Sequence, residues 1–144
     1  MNVYVEVYGC TANKSDASIV KAIVNNHPRY QLVDNLKDAN IFVILTCTVI
    51  DTTEQRMISR IKQVQQTGKL IVIAGCMASV QKTLLNHLFP KAILVTPQKI
   101  HQIINIIEQR PPDKQRKKYD APKSIDSIIM PIAIAEGCQY HCSY

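Results

Sequence analysis

No window of this 144-residue chain approaches the roughly 18 uninterrupted apolar residues that a membrane-spanning helix needs. Residues 1–8 also lack the basic stretch followed by an apolar run that marks a leader segment. A long polar tract is missing too, and 47% of the residues are hydrophobic, which excludes an extended disordered chain and points to a globular body. Nor is there an even, closely spaced set of cysteines. The five present, an odd number spread widely, disfavour a disulfide framework in a reducing compartment and read better as ligands, catalytic thiols or buried filler. The expectation is a soluble, cytoplasmic protein with one full domain and part of another.

Apolar runs of strand length alternate with helical patterns. Residues 2–8 read as a strand, and 15–26 as a helix with Ala17, Ile19, Val20, Ile23 and Val24 inward. Residues 41–45 form a second strand. Asp51 with Glu54 then makes a capping-box-like start to a helix that Gly68 stops. Residues 70–74 are a third strand before a helix near 78–88, and 92–95 a fourth before a helix over 97–109. Nearly continuous apolar strands joined by helices predict an α/β fold, an open parallel sheet with helices on both faces, over residues 1–110.

Residues 111–123 read as a linker. Between positions 110 and 123 lie Arg110, Lys114, Arg116, Lys117, Lys118 and Lys123 against Asp113 and Asp120, with Pro111, Pro112 and Pro122 breaking any helix. This stretch carries much of the net charge of +6 and suits either phosphate contact or a solvated tether. Residues 124–144 begin a different module, in which 128–135 read as a buried strand with Pro131 at its edge or start.

Cys10, Cys47 and Cys76 each follow the end of a predicted strand, at separations of 37 and 29 residues. In a parallel sheet those ends share one edge, where ligand crevices form and where helix N-termini stabilise thiolates. Three thiols with no fourth partner suggest an incomplete set. A 4Fe-4S cluster takes four cysteines, so three would leave one iron open. Zinc completed by His141 or water is the competing metal reading, and three cysteines packed as small hydrophobes the non-metal one.

The end of the chain, Glu136-Gly137-Cys138-Gln139-Tyr140-His141-Cys142-Ser143-Tyr144, is the opening of the C-x-x-x-C-x-x-C signature of radical S-adenosylmethionine enzymes. Three further blocks join it: Gly9-Cys10-Thr11-Ala12-Asn13-Lys14-Ser15-Asp16, Leu45-Thr46-Cys47-Thr48-Val49 and Gly75-Cys76-Met77-Ala78. Together they resemble the methylthiotransferase family of radical S-adenosylmethionine enzymes, as its N-terminal domain plus the start of its radical barrel. Leu45 departs from the pattern, since most members carry Asn before the Thr-Cys pair.

The resemblance implies two 4Fe-4S clusters. An auxiliary one would sit on Cys10, Cys47 and Cys76, and its open iron would carry sulfur. The radical one would use Cys138, Cys142 and a cysteine beyond Tyr144, and would cleave S-adenosylmethionine to a radical that removes a C–H hydrogen. Tyr140 would approach the cofactor, and an electron donor such as ferredoxin or flavodoxin is implied. The Cys10-Thr11-Ala12-Asn13 wording is most similar to the archaeal and eukaryotic branch, which modifies carbon 2 of N6-threonylcarbamoyladenosine beside the tRNA anticodon. Other tRNA bases or a ribosomal protein are alternatives, as is a non-catalytic cysteine module that binds metal or RNA. The basic balance favours RNA. Asn13 and Lys14 are candidate substrate contacts, although Asn13 and Asp16 also stand where helix caps belong. The fragment alone is expected to be inactive.

Overall fold

The computed structural model describes residues 1–48, 51–114, 117–125 and 131, without the side chains of residues 51–53. The predicted strand over 128–135 lies outside the described residues. Five parallel strands form one sheet in the order β2-β1-β3-β4-β5: β1 (Asn2–Val7), β2 (Gln31–Leu32), β3 (Ile41–Thr46), β4 (Leu70–Gly75) and β5 (Ile93–Val95). The expected α/β open parallel sheet is therefore observed. It has one strand more than expected, because β2 is a two-residue edge strand of mixed polarity and leaves no periodic trace in the sequence.

The central strand β3 is buried along its whole length, and its side chains point alternately into two cores. Val43 and Leu45 face helix α1 (Thr11–Asn25) and α5 (Ile103–Ile107), packing with Ile19, Val20, Ile23, Val24 and Ile103. Phe42 and Ile44 face the opposite layer, which holds α2 (Asp51–Gln65), α3 (Cys76–Val80) and α4 (Lys82–Leu88) through Met57, Ile61, Met77 and Leu85. Leu45 is fully buried in the first core, so at this position an apolar side chain packs against the helices.

Several boundaries differ from expectation. Helix α1 begins at Thr11, directly after Cys10, four residues before the expected start. The helix expected near 78–88 is two short helices meeting at Gln81, whose side-chain amide donates to Glu54 Oε2 at 2.7 Å and so ties the join to α2. Glu54 thus has a tertiary partner, while the expected cap at Asp51 involves side chains outside those described. The helix expected over 97–109 opens as a 3-10 turn, Pro97–Gln102, before α5.

From β1 the chain moves outward to β2, then returns to β3 on the other side of β1. Helix α1 leaves β1 toward one face and α2 leaves β3 toward the other. A reversal of this kind opens a crevice between the loops at the carboxyl ends of the two strands. Cys10 and Cys47 lie in those loops.

Candidate metal centre

Cys47 directly follows β3, and Cys76 directly follows β4 as the first residue of α3. Thr46 and Gly75 are paired in register, so the two cysteines leave adjacent strands side by side, at the strand spacing of about 5 Å. The third thiol approaches from the other side. Tyr8 N–H still bonds the Leu45 carbonyl at 2.9 Å; Gly9 then turns with φ +110°, and Cys10 becomes the N-cap of α1. A Cβ at Gly9 would lie 2.4 Å from Cys47 Cβ and 3.1 Å from its Sγ. The backbone entering Cys10 rests on the Cys47 side chain, and only glycine fits there.

One buried side chain ties these loops together. Asn13, 1% exposed, donates from Nδ2 to the carbonyls of Tyr8 (3.0 Å) and Thr46 (3.1 Å). Its Oδ1 faces Gly75, where an added Cβ would meet it at 3.1 Å and the Thr46 carbonyl oxygen at 2.5 Å. Thr46 Oγ1 donates to the Ala74 carbonyl at 2.6 Å. Asn13 and Thr46 thereby join the ends of β1, β3 and β4. The expected capping role of Asn13 is not observed, since the N-cap position belongs to Cys10 and α1 has no side-chain cap. Of the two candidate substrate contacts, Asn13 is enclosed beneath the cysteines while Lys14 is exposed beside them.

The approach is held from below by a second network. Tyr8 donates to Glu6 Oε1 at 2.6 Å, and Arg60 of α2 clasps the same carboxylate with three hydrogen bonds of 3.0, 3.2 and 2.9 Å. Burial, and then the bond to Glu6, push the Tyr8 phenol up to about 12.

All three thiols are free of disulfides; Cys10 is exposed, Cys76 half-buried and Cys47 buried, so the group opens to solvent on its Cys10 side. Desolvation pushes the Cys76 thiol up, and the nearby Cys47, Cys10 and Asp16 push it further. The cysteines are thus close enough to act on one another electrostatically. Helices α1 and α3 carry no acidic residue in their first turns, which leaves the positive ends of their dipoles unneutralised there. Among the described residues, no three His, Cys, Asp or Glu side chains are gathered tightly enough to grip a single metal ion.

Asp16, expected as a cap, instead pairs with Lys118 at 2.9 Å. Cys138, Cys142 and Tyr140 lie outside the described residues. Thr46, Gly9, Gly75 and the Glu6–Arg60 clasp carry the architecture around the thiols; the sequence shows the first three as members of the cysteine blocks, without a structural role, and does not point to the clasp. Among the described residues no helix is long and apolar enough to cross a membrane.

A doubly wound parallel sheet with three free cysteines around its switch point defines a thiol-bearing α/β domain. The chain belongs to the uncharacterized protein family UPF0004, which it matches over residues 2–96, a stretch containing all three of these cysteines. It is 37% identical, over its whole length, to the probable threonylcarbamoyladenosine tRNA methylthiotransferase of Methanocaldococcus jannaschii, of which it covers 35%. It is 24% identical over 99% of its length to the tRNA-2-methylthio-N(6)-dimethylallyladenosine synthase of Albidiferax ferrireducens, covering 35% of that protein. To the ribosomal protein uS12 methylthiotransferase RimO of Prochlorococcus marinus it is 29% identical over 94% of its length, covering 33%. The chain therefore spans about a third of the length of these relatives.

Proposed function

We propose that this chain is the N-terminal part of a tRNA methylthiotransferase that places a methylthio group on carbon 2 of N6-threonylcarbamoyladenosine next to the anticodon, by radical S-adenosylmethionine chemistry. The observation that carries the proposal is the convergence of Cys10, Cys47 and Cys76 at the switch point of the sheet. The similarity to proteins named for methylthio transfer supports the reaction class, and the 37% identity to the Methanocaldococcus protein supports the substrate.

Three cysteines suit either a polynuclear cluster or a zinc ion completed by another ligand, and the resemblance of the cysteine blocks to radical S-adenosylmethionine methylthiotransferases favours the cluster. Three cysteines of the usual four would hold an auxiliary 4Fe-4S cluster with one iron left for an external ligand. Cys138 and Cys142, by their spacing, would contribute to a second cluster, with Tyr140 near S-adenosylmethionine. When bound, the auxiliary cluster supplies the sulfur, while the second cluster and S-adenosylmethionine supply hydrogen removal from an unactivated carbon and the methyl group.

The chain's own residues prepare this site. Asn13 and Thr46 fix the three loops, and Gly9 and Gly75 allow their close approach. Burial and the nearby Cys47, Cys10 and Asp16 favour the protonated Cys76 thiol, so a metal held by Cys76 would have to displace that proton. Exposed Lys14, four residues from Cys10, is a candidate contact for a tRNA phosphate. Reduction requires an external donor such as ferredoxin or flavodoxin, and the working compartment is the cytoplasm.

The test is anaerobic reconstitution of the full-length protein, followed by incubation with S-adenosylmethionine and reductant and mass spectrometry of the products. The substrates are tRNA bearing N6-threonylcarbamoyladenosine, tRNA bearing an isopentenyladenosine, and ribosomal protein uS12. A methylthio product on the first alone is expected. A product on another substrate reassigns specificity, and none on any of them, with S-adenosylmethionine still cleaved, overturns the proposal.

A further inference from the structure

The basic, proline-containing stretch after α5 has the composition of a free tether, yet its described part is fastened to α1 and the adjoining core at four points. Lys118 Nζ lies 2.9 Å from Asp16 Oδ1, and the two side chains are only 15% and 6% exposed. Ala121 is buried in the core on the α1 side of the sheet. Ser124 N–H donates to the Ser18 carbonyl at 2.9 Å, and Lys123 Nζ reaches Ser15 Oγ at 3.3 Å. A 3-10 turn, Lys118–Asp120, keeps the segment compact. Ser15, Asp16 and Ser18 occupy one turn of α1, the helix that Cys10 begins.

We propose that Asp16 and Lys118 form a latch that docks residues 117–124 on α1, so that the chain leaves the N-terminal domain from a fixed point close to the three-cysteine edge. They are positioning residues. A buried pair is suited to this because removing one partner from it is costly, which favours the docked arrangement. Ser18 lies only about 12 Å along α1 from Cys10. Asp16 also stands near enough to Cys76 to influence its thiol, which ties the latch to the cysteine group by proximity.

The purpose of the latch rests on the reading that Cys138 and Cys142 belong to a second cluster. Cys138 is 14 residues beyond Ser124 and 28 beyond Arg110. Its reach is at most about 50 Å from a docked Ser124, against about 100 Å from a tether that is free from Arg110. Halving the reach shrinks the accessible volume roughly eightfold and raises the effective concentration of one cysteine group at the other.

The test is hydrogen exchange in the full-length protein, comparing Lys118→Met, Asp16→Asn, the double variant and Lys118→Arg. The Ser124 and Ala121 amides report on the strap, and the β3 amides on the domain. In Lys118→Met and in Asp16→Asn the strap amides should exchange at least about tenfold faster with β3 unchanged. The double variant should be no faster than the singles, and Lys118→Arg should stay within about threefold of the unmodified protein. Strap exchange unchanged in Lys118→Met, additive effects in the double variant, failure of Lys118→Arg to preserve protection, or equal acceleration in β3 would each overturn the latch. The readout does not depend on tRNA modification: loss of methylthio product with a protected strap counts against the proposed reaction alone, and normal product with no latch signature counts against the latch alone.

Discussion

Asn13 donates to the Thr46 carbonyl across 33 positions of sequence, at 3.1 Å, and this one buried bond joins the loop of the first cysteine to the strand that delivers the second. Asn13→Ala would leave the carbonyls of both Tyr8 and Thr46 without that donor in a buried place, at a cost of about 1–3 kcal/mol. Asn13→Asp should be worse, because it replaces the donating amide with a negative charge among thiols. Urea denaturation measures the cost. Iron retention after anaerobic reconstitution should fall in both variants, further in Asn13→Asp. If Asn13→Ala matched the unmodified protein in both measurements, the brace would have no role.

The sheet was legible because its strands are near-continuous apolar runs, and the cysteine group because each thiol terminates such a run. β2 was not legible, since two edge residues of mixed polarity carry no period. The early start of α1 was hidden because Cys10 is not a usual N-cap and Thr11-Ala12-Asn13 shows no apolar repeat. Asn13 was visible as a residue but not as a brace: its partners are main-chain carbonyls, which any sequence supplies. The Asp16–Lys118 pair joins positions 102 apart, one in a helix and one in a stretch whose prolines and charges mimic a tether. Neither local propensity nor composition reports that kind of long-range fastening.

Gly75 sits at φ +97° with the Thr46 carbonyl oxygen 2.5 Å from where a Cβ would stand. The obstacle is backbone in the central strand, which cannot move aside without breaking the β3–β4 ladder. Gly75→Ala should therefore cost more than the ~1 kcal/mol of an ordinary unfavourable glycine replacement. A loss of about 2–4 kcal/mol is expected, adding backbone strain to the clash. A urea midpoint unchanged in Gly75→Ala would contradict the close approach of the second and third cysteine loops.

Anaerobic iron-sulfur reconstitution of this chain, with iron and sulfide counted, tests the three-cysteine group directly. About four irons are expected on the unmodified chain at the auxiliary site. A variant with Cys10, Cys47 and Cys76 all changed to Ala should lose them, while Cys138→Ala with Cys142→Ala should keep them. Equal iron in the unmodified chain and the triple variant would remove the cluster from the switch point. One zinc and no sulfide would return the site to a mononuclear reading.

The Tyr8 phenol, pushed up to about 12 by burial and by its bond to Glu6, gives a pH dependence with a defined sign. In the unfolded chain a tyrosine ionises near 10. Below that pH both states hold the proton, and the contribution of the bond is fully present. Between pH 10 and about 12 the unfolded chain releases the proton while the folded protein keeps it, so stability falls as pH rises. Tyr8→Phe lacks the group. The stability difference between unmodified protein and Tyr8→Phe, taken from urea midpoints, should be constant from pH 7 to 9.5 and shrink from pH 10 upward. Tyr30, also raised through burial and Glu108, is present in both proteins and cancels in the comparison. A difference that stayed flat through pH 11.5 would mean that the Tyr8 hydroxyl is not buried against Glu6, and that the clasp beneath the first cysteine loop is absent in solution.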